Sequence, residues 1–527
     1  MYDVLIKNGK IVDGTGGEPY IADIGIKDGI IAKLGKIDSK ANKIIDADGH
    51  IVSPGFIDTH GHSDIIAWSM DKYDHKITQG VTTEVTGSCG LSIAPNNPEN
   101  LDLLDSYVNT IKCGTSFNWD WNSFGEYFDF LEKQSFPSNL VCLAGHGSIR
   151  IATMGFSDAK PTKLELDKMK EYTEEAMKSG AHGLSVGLVY PPGAYGDSDE
   201  LVELCKIVGE YGGLFSTHMR NESDDLIESI KEVISIAKKS GVSLLISHLK
   251  AMGKNNWGKS KEAIELIYQA REENVDVWAD QYPYTANSTF LNALVPAREL
   301  NQGLESFIKK LESESYRRSI IDKIENDNGG DWENFIASAG GWKGVMVLSL
   351  PETPQWNGKL ISEISEEMNI SPGEVFCELL MDNNGEGLVV TFTMDEKDVE
   401  NIMKTSFQMV GSDGLPGKHG SHPRIYGTFP RVIKRYVKDK NILSLTDAIK
   451  KMTYIPAKVF DLSKRGVIKE GYIADVNVID YQRIEDRATY RNSEMYPVGY
   501  KNVLVRGEIA VESDKVVNLK KGIVLIK

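Results

Sequence analysis

The chain has 527 residues, 41% of them hydrophobic and 26% charged, an ordinary composition for a soluble globular protein but too long for one ordinary core. A formal net charge of −17 argues against a nucleic-acid partner, whose phosphates need clustered Lys and Arg. No apolar run approaches the roughly 18–20 residues of a membrane helix, so no membrane partner is expected.

Residues 1–54 read as short strands broken by turns. "DVLIKNGKIVDG", "ADIGIKDGIIAKLG" and "KIIDADGHIVSPG" place Asn-Gly or Asp-Gly pairs among β-branched runs, a hairpin signal. The opening "MYDVLIKNGKIVDG" lacks the basic head and long apolar core of an export signal. The cysteines (Cys89, Cys113, Cys142, Cys205 and Cys377) are odd in number and scattered, a poor disulfide framework. Reduced thiols in the cytoplasm are the expectation.

Residues 55–465 have a different rhythm. Short apolar runs recur, usually followed by a helical pattern such as "LELDKMKEYTEEAMKSG", whose closing Gly is a C-cap signal. The strand candidates are "GFIDTH", "TTEVTGSC", "NLVCLAGHG", "GAHGLSVG", "GLFSTHMR", "VSLLISHLK", "DVWADQYPY" and "FQMVGSDG". Buried strands alternating with helices in this number predict an α/β fold, a (β/α)8 TIM-like barrel. The seventh candidate ends at 284 and the eighth begins at 407, far beyond the reach of one crossover helix. The stretch near 290–350 is therefore expected to be an inserted lid subdomain over the barrel mouth. After 465 the strand texture resumes in "ADVNVIDYQRI", "YKNVLVRGEIAVES" and "KGIVLIK". Residues 1–54 and 466–527 are expected to pair into one small β-sandwich, with the termini close together.

In barrels the chemistry comes from the C-terminal ends of the strands. Those ends carry His60 and His62 (in "PGFIDTHGHSD"), Cys89, His218, His248 and Asp413. Each alone has a plainer reading: a hydrogen-bonded structural histidine, a core thiol, a turn aspartate in "GSDGLPG". Together they occupy one cup, which reads as a metal site. His50, His75, His146 and His182 have no partner at a convincing spacing and read as structural. Thiolate with imidazoles suits Zn2+, with a position left for water. A tight zinc is expected on Cys89, His218 and His248, and a weaker second pocket at His60, His62 and Asp413. Asp413 is the expected general base, then acid.

The motifs "PGFIDTHGH", "VTGSCGLSIAP", "STHMRNE", "SHLKAMG", "DQYPYTANST", "GSDGLPGKHGSHPRIYGTFPR" and "GVIKEGYIADVNVID" span nearly the whole chain. With them the chain resembles the amidohydrolase superfamily, and within it the N-acyl-D-amino-acid deacylases (D-aminoacylases). Hydantoinases and dihydroorotases typically bridge two metals with a carboxylated lysine on the fourth strand. Here "GLSVGLVYPPG" has no lysine, and Cys89 takes the role of ligand. The resemblance implies zinc-dependent hydrolysis of a small-molecule N-acyl-D-amino acid, with a second metal position that is only partly occupied. It also implies that Tyr190, Lys250, Tyr282, Ser288 and Arg424 hold the substrate carboxylate and scissile carbonyl. Ser88 stands before Cys89 where many members carry Asn. Arg298, in "TFLNALVPARELNQG", divides the side-chain expectation: an acidic D-side chain if it reaches the pocket, a neutral one if it faces solvent. Selectivity for D over L is implied by the resemblance alone. The alternatives are cyclic-amide or dipeptide hydrolysis, and a non-catalytic barrel, which the filled set of metal positions disfavours.

Overall fold

The computed structural model describes residues 1–70, 73–326 and 332–527. Eight barrel strands stand where the apolar runs predict them: Phe56–Asp58, Val81–Thr86, Asn139–Cys142 continued by Ala144–Gly145, Gly183–Gly187, Leu214–His218, Ser243–Ile246, Val277–Gln281 and Gln408–Val410. All neighbouring pairs are parallel. The wall closes between the last strand and the first, where Asp413 N donates to His60 O at 2.8 Å and Gly61 bridges Gly414. Every residue of Val81–Thr86 and of Leu214–His218 is buried, as a parallel sheet covered on both faces requires.

The covering helices carry the signals that start and stop them. Lys163–Ser179 opens on a capping box between Thr162 and Glu165 and ends at Gly180, at φ 105°. Leu226–Ser240 buries Leu226, Ile230, Val233 and Ala237, a 3.6-residue stripe laid on the barrel, and stops at left-handed Gly241. Among the described residues no helix is long and apolar enough to cross a membrane.

Both ends of the chain build one nine-stranded sheet, whose seam is the antiparallel pairing of Ile51–Pro54 with Val476–Ile479. The sheet curls back on itself. Ile31 N donates to Tyr472 O at 2.8 Å and Ala474 N to Gly29 O at 2.9 Å, so Ile6, Ile24, Ile26, Val476 and Val478 share one core. The end of "KGIVLIK" leaves this sheet. Val524–Leu525 pairs in parallel with Leu140–Val141 of the third barrel strand, and Lys527 N donates to Gly180 O. The third strand meets the fourth only near its top, so its lower backbone has a free edge that the tail satisfies.

The excursion between the seventh and eighth strands runs well past the expected 350. Its antiparallel strands Asn287–Phe290, Val345–Ser349 and Leu388–Thr391 form one sheet, with helices at Leu304–Leu311, Glu314–Asn326, Ile361–Met368 and Pro372–Asp382. Phe307, Leu311, Ile320, Val347, Phe376 and Leu380 give it a core of its own. Residues 327–331 of the expected insertion lie outside the described residues. The helices after 360 have the periodicity of an ordinary barrel crossover; periodicity shows that a helix is amphipathic, not which core it covers.

Candidate active site

The barrel mouth gathers the predicted donors. Cys89 Sγ lies 3.3 Å from His60 Nε2, 3.6 Å from His248 Nε2 and 3.8 Å from His218 Nδ1. Asp413 Oδ1 lies 3.5 Å from His60 Nε2 and 3.2 Å from His62 Nε2. One ligand atom from each of His60, Cys89, His248 and Asp413 falls within 4.8 Å of the others, and all four residues are buried. The two expected triads therefore interleave. His60 and Asp413 stand with Cys89 and His248, while His218 joins through Nδ1 and turns Nε2 to Glu222 at 3.6 Å.

The local backbone explains how short strands aim so many groups at one point. The first strand ends at Asp58, so His60 and His62 sit in the turn beyond it, and strand alternation is not what brings their rings to 5.4 Å. Gly61 between them leaves room for the buried Glu84 carboxylate, whose Oε1 a Cβ there would meet at 2.0 Å. Cys89, His248 and Asp413 all adopt positive φ, at 54°, 37° and 49°. Each such non-glycine residue costs on the order of 1–3 kcal/mol, strain that collects at functional sites. Gly87 before Cys89 has φ 76°, and a Cβ there would meet Leu143 O at 2.1 Å. That accounts for the first glycine in "TGSCG".

The electrostatics suit metal binding. Burial pushes His62 down to about 4. Burial also holds His218 low despite Glu222, and His248 low with help from Lys250. Neutral imidazoles are the ligand form. Burial would lower His60 too, but Cys89 and Asp280 outweigh it and raise it. Burial pushes the Cys89 thiol up, partly offset by His60. Burial would raise Asp413, yet Arg424 and then His248 hold it well below the usual carboxylate range. Zinc fits this buried set of nitrogen, sulfur and oxygen donors. The far ring nitrogens are also supported: His60 Nδ1 faces Asp280 Oδ2 at 3.5 Å, and His248 Nδ1 lies 3.0 Å from Glu222 Oε1.

Asp280 and Glu222 are the functional residues that the strand-end reading passes over. Asp280 also accepts from His248 N at 2.5 Å. Their signals were an acid inside the seventh strand and an acid four residues after His218. His218, Glu222 and His248 form a second group of close donors, already approached by a cation: Lys250 Nζ is 2.5 Å from Glu222 Oε2 and 2.7 Å from His248 Nδ1.

The residues expected to hold substrate surround the cluster. Arg424 is fully buried, which excludes a surface ion pair. Its Nη1 lies 2.9 Å from Asp413 Oδ2, its Nη2 donates to Ser288 O at 3.1 Å, and its guanidinium stacks 4.7 Å from the Tyr282 ring centre. The Tyr282 hydroxyl and Ser288 Oγ are buried without a hydrogen-bond partner among the described residues. Tyr190 OH pairs with Thr289 Oγ1 at 3.0 Å, and its ring lies 5.1 Å from His218. Arg298 is exposed and borders a cavity shared with Asp225, Glu228 and Glu232, whose lining does not include Arg424. His146 pairs with Glu200 at 2.6 Å beside Arg150.

The profile of the amidohydrolase family matches residues 43–275 and 371–511. D-aminoacylase of Alcaligenes xylosoxydans xylosoxydans is 34% identical over 511 residues, 96% of this chain and 94% of that protein. The N-acyl-D-glutamate deacylase of the same organism is 33% identical over 512 residues, 96% and 93% of the two chains. A crystal structure of N-acyl-D-glutamate deacylase from Bordetella bronchiseptica, complexed with zinc and a phosphonate mimic of the tetrahedral intermediate, matches over 100% of both chains with a TM-score of 0.85 at 32% identity. The chain belongs to the amidohydrolase superfamily and is closely related to its D-aminoacylases and N-acyl-D-amino-acid deacylases.

Proposed function

We propose that this protein is a zinc-dependent hydrolase that splits N-acyl-D-amino acids into a carboxylate and a free D-amino acid. The observation that carries the reading is the buried donor cluster standing directly against Arg424, itself flanked by the partnerless hydroxyls of Tyr282 and Ser288.

His60, Cys89, His248 and Asp413 would hold the zinc, with His218 and His62 beside them. Zinc bound there supplies Lewis-acid chemistry, polarising a carbonyl and lowering the pKa of water from about 15.7 to near 7. The rest is work for the side chains. Arg424 offers a planar fork to the α-carboxylate, and the Tyr282 and Ser288 hydroxyls can complete its hydrogen bonds. Lys250 Nζ, 5.8 Å from the Tyr282 ring centre, adds positive potential on that side. A carboxylate held by Arg424 brings the neighbouring amide nitrogen close to Asp413, which Arg424 touches. Asp413, ionised at neutral pH, takes a proton from the attacking water and delivers it to the departing nitrogen. Tyr190, beside His218, would turn its hydroxyl from Thr289 to donate to the oxygen on which charge develops.

The exposed position of Arg298 favours a neutral D-side chain. The test is turnover of zinc-loaded protein on paired N-acetyl-D and N-acetyl-L forms of leucine, methionine, glutamate and aspartate. Hydrolysis of the D-forms alone is expected, with leucine and methionine ahead of the acids by roughly tenfold or more, since an unpaired charge resists burial. Turnover of hydantoins or dipeptides without any N-acetyl-D-amino acid would move the substrate to those classes.

A further inference from the structure

A cavity of about 590 Å³ opens on the far side of Tyr190. Its inner wall is Tyr190 with Phe290, ring centres 5.6 Å apart, and Tyr190 is itself one ring away from His218. The outer wall comes from Tyr107 and Phe156, in the segments after the second and third strands, and from the insertion helix Leu304–Leu311. That helix is apolar on two faces. Phe307 and Leu311 are buried in the insertion's own core. Leu304 and Ile308, four residues apart and so on one face, stay half-buried and line the cavity. Glu305, Lys309, Glu312 and Glu386 are the charged groups of the lining. The size, and an apolar wall of Phe156, Val189, Phe290, Val295, Leu300 and Ile308 facing a polar rim, are those of a small-molecule site.

Its place on the barrel says which part of the substrate it meets. The carboxylate clamp is built after the sixth, seventh and eighth strands, from Lys250, Tyr282, Ser288 and Arg424. The cavity lies between the segments after the second, third and fourth strands and the insertion after the seventh, and of the residues about the donor cluster it shares Tyr190. In an N-acyl amino acid the α-carboxylate and the acyl chain leave the scissile amide in opposite directions. Fixing the carboxylate at Arg424 and the amide at the donor cluster therefore sends the acyl chain past Tyr190. The D-side chain branches from Cα, on the carboxylate side of the amide.

We propose, resting on the deacylase reading above, that this cavity receives the N-acyl chain and that the substrate class is N-fatty-acyl D-amino acids rather than N-acetyl ones. An acetyl methyl would leave most of the apolar wall in contact with water. In the reaction the amide C–N bond breaks, the acyl carbon gains the water oxygen, and the nitrogen gains the proton. The products are a medium-chain fatty carboxylate and a D-amino acid.

The test is a series of kcat/KM values on N-acetyl-, N-hexanoyl- and N-decanoyl-D-leucine with the zinc-loaded protein. The constant is expected to rise roughly fourfold per methylene until the cavity fills, putting hexanoyl, four methylenes longer, about 250-fold above acetyl. Ile308→Glu, at a half-exposed helix position, should cut the decanoyl-to-acetyl ratio by roughly tenfold or more, because a charge then faces the chain. Ala293→Trp should do the same by filling the space. A flat or falling series with N-acetyl-D-leucine still hydrolysed would overturn the acyl assignment and leave the deacylase reading intact. So would a rise confined to N-acetyl-D-2-aminodecanoate, which lengthens the side chain instead. Failure to hydrolyse any of these amides would sink both readings.

Discussion

Cys89→Ala is expected to strip the tight zinc and nearly all turnover with it. The sulfur faces three imidazoles, at 3.3, 3.6 and 3.8 Å, so it is the hub of the donor set. Loss of an outer-sphere partner alone weakens metal binding about 10–100-fold, and loss of the thiolate itself should exceed that. The variant left at the mouth would keep only nitrogen and oxygen donors. Metal analysis after dialysis against a competing chelator reads the effect directly. A proton must also leave the thiol when zinc binds, and burial raises that thiol's pKa. Apparent zinc affinity should therefore fall as pH falls, and fall less steeply in the variant. Full zinc and full activity in Cys89→Ala would remove the residue from the ligand set.

Asp413→Asn should have the opposite signature, with most of the zinc retained and turnover lost. The amide keeps the shape of the carboxylate, and Cys89, His60, His218 and His248 remain as donors. It cannot take up a proton, so kcat should drop about 10²–10⁴-fold, the range of general acid–base catalysis. KM should change little, because Arg424 remains to hold the carboxylate. Near-normal kcat would rule out the proton shuttle. Zinc loss in step with activity would make Asp413 chiefly a ligand.

The barrel was legible because a buried parallel strand writes itself as a short apolar run, and five of the eight runs here end on a group with chemistry. His60, Cys89, His218, His248 and Asp413 could be chosen by that rule alone. The rule assigns no distances, so it could not show that His60 stands as close to Cys89 as His248 and His218 do. Nor does it reach Asp280 or Glu222, which act through His60 and His248 and lie one step back from the cluster. The insertion was recognisable as a gap, but its far boundary was hidden because its helices have the same amphipathic period as barrel crossovers. The tail at Val524–Leu525 reads as a strand from its composition; that it repairs an edge of the third barrel strand follows only from the three-dimensional arrangement. Arg424 illustrates the same limit. An arginine between polar residues in "SHPRIYG" has no burial written into it, yet it is among the largest fully buried side chains in the molecule.

The central claim is that the donor cluster is a catalytic zinc centre. The most direct measurement removes the metal with a chelator, then titrates zinc back while following hydrolysis of N-acetyl-D-leucine. Activity is expected to vanish in the stripped protein and to return in proportion to the zinc bound, with Cys89→Ala failing to recover at the same free zinc. Hydrolysis that persists at full rate in metal-free protein would contradict the account.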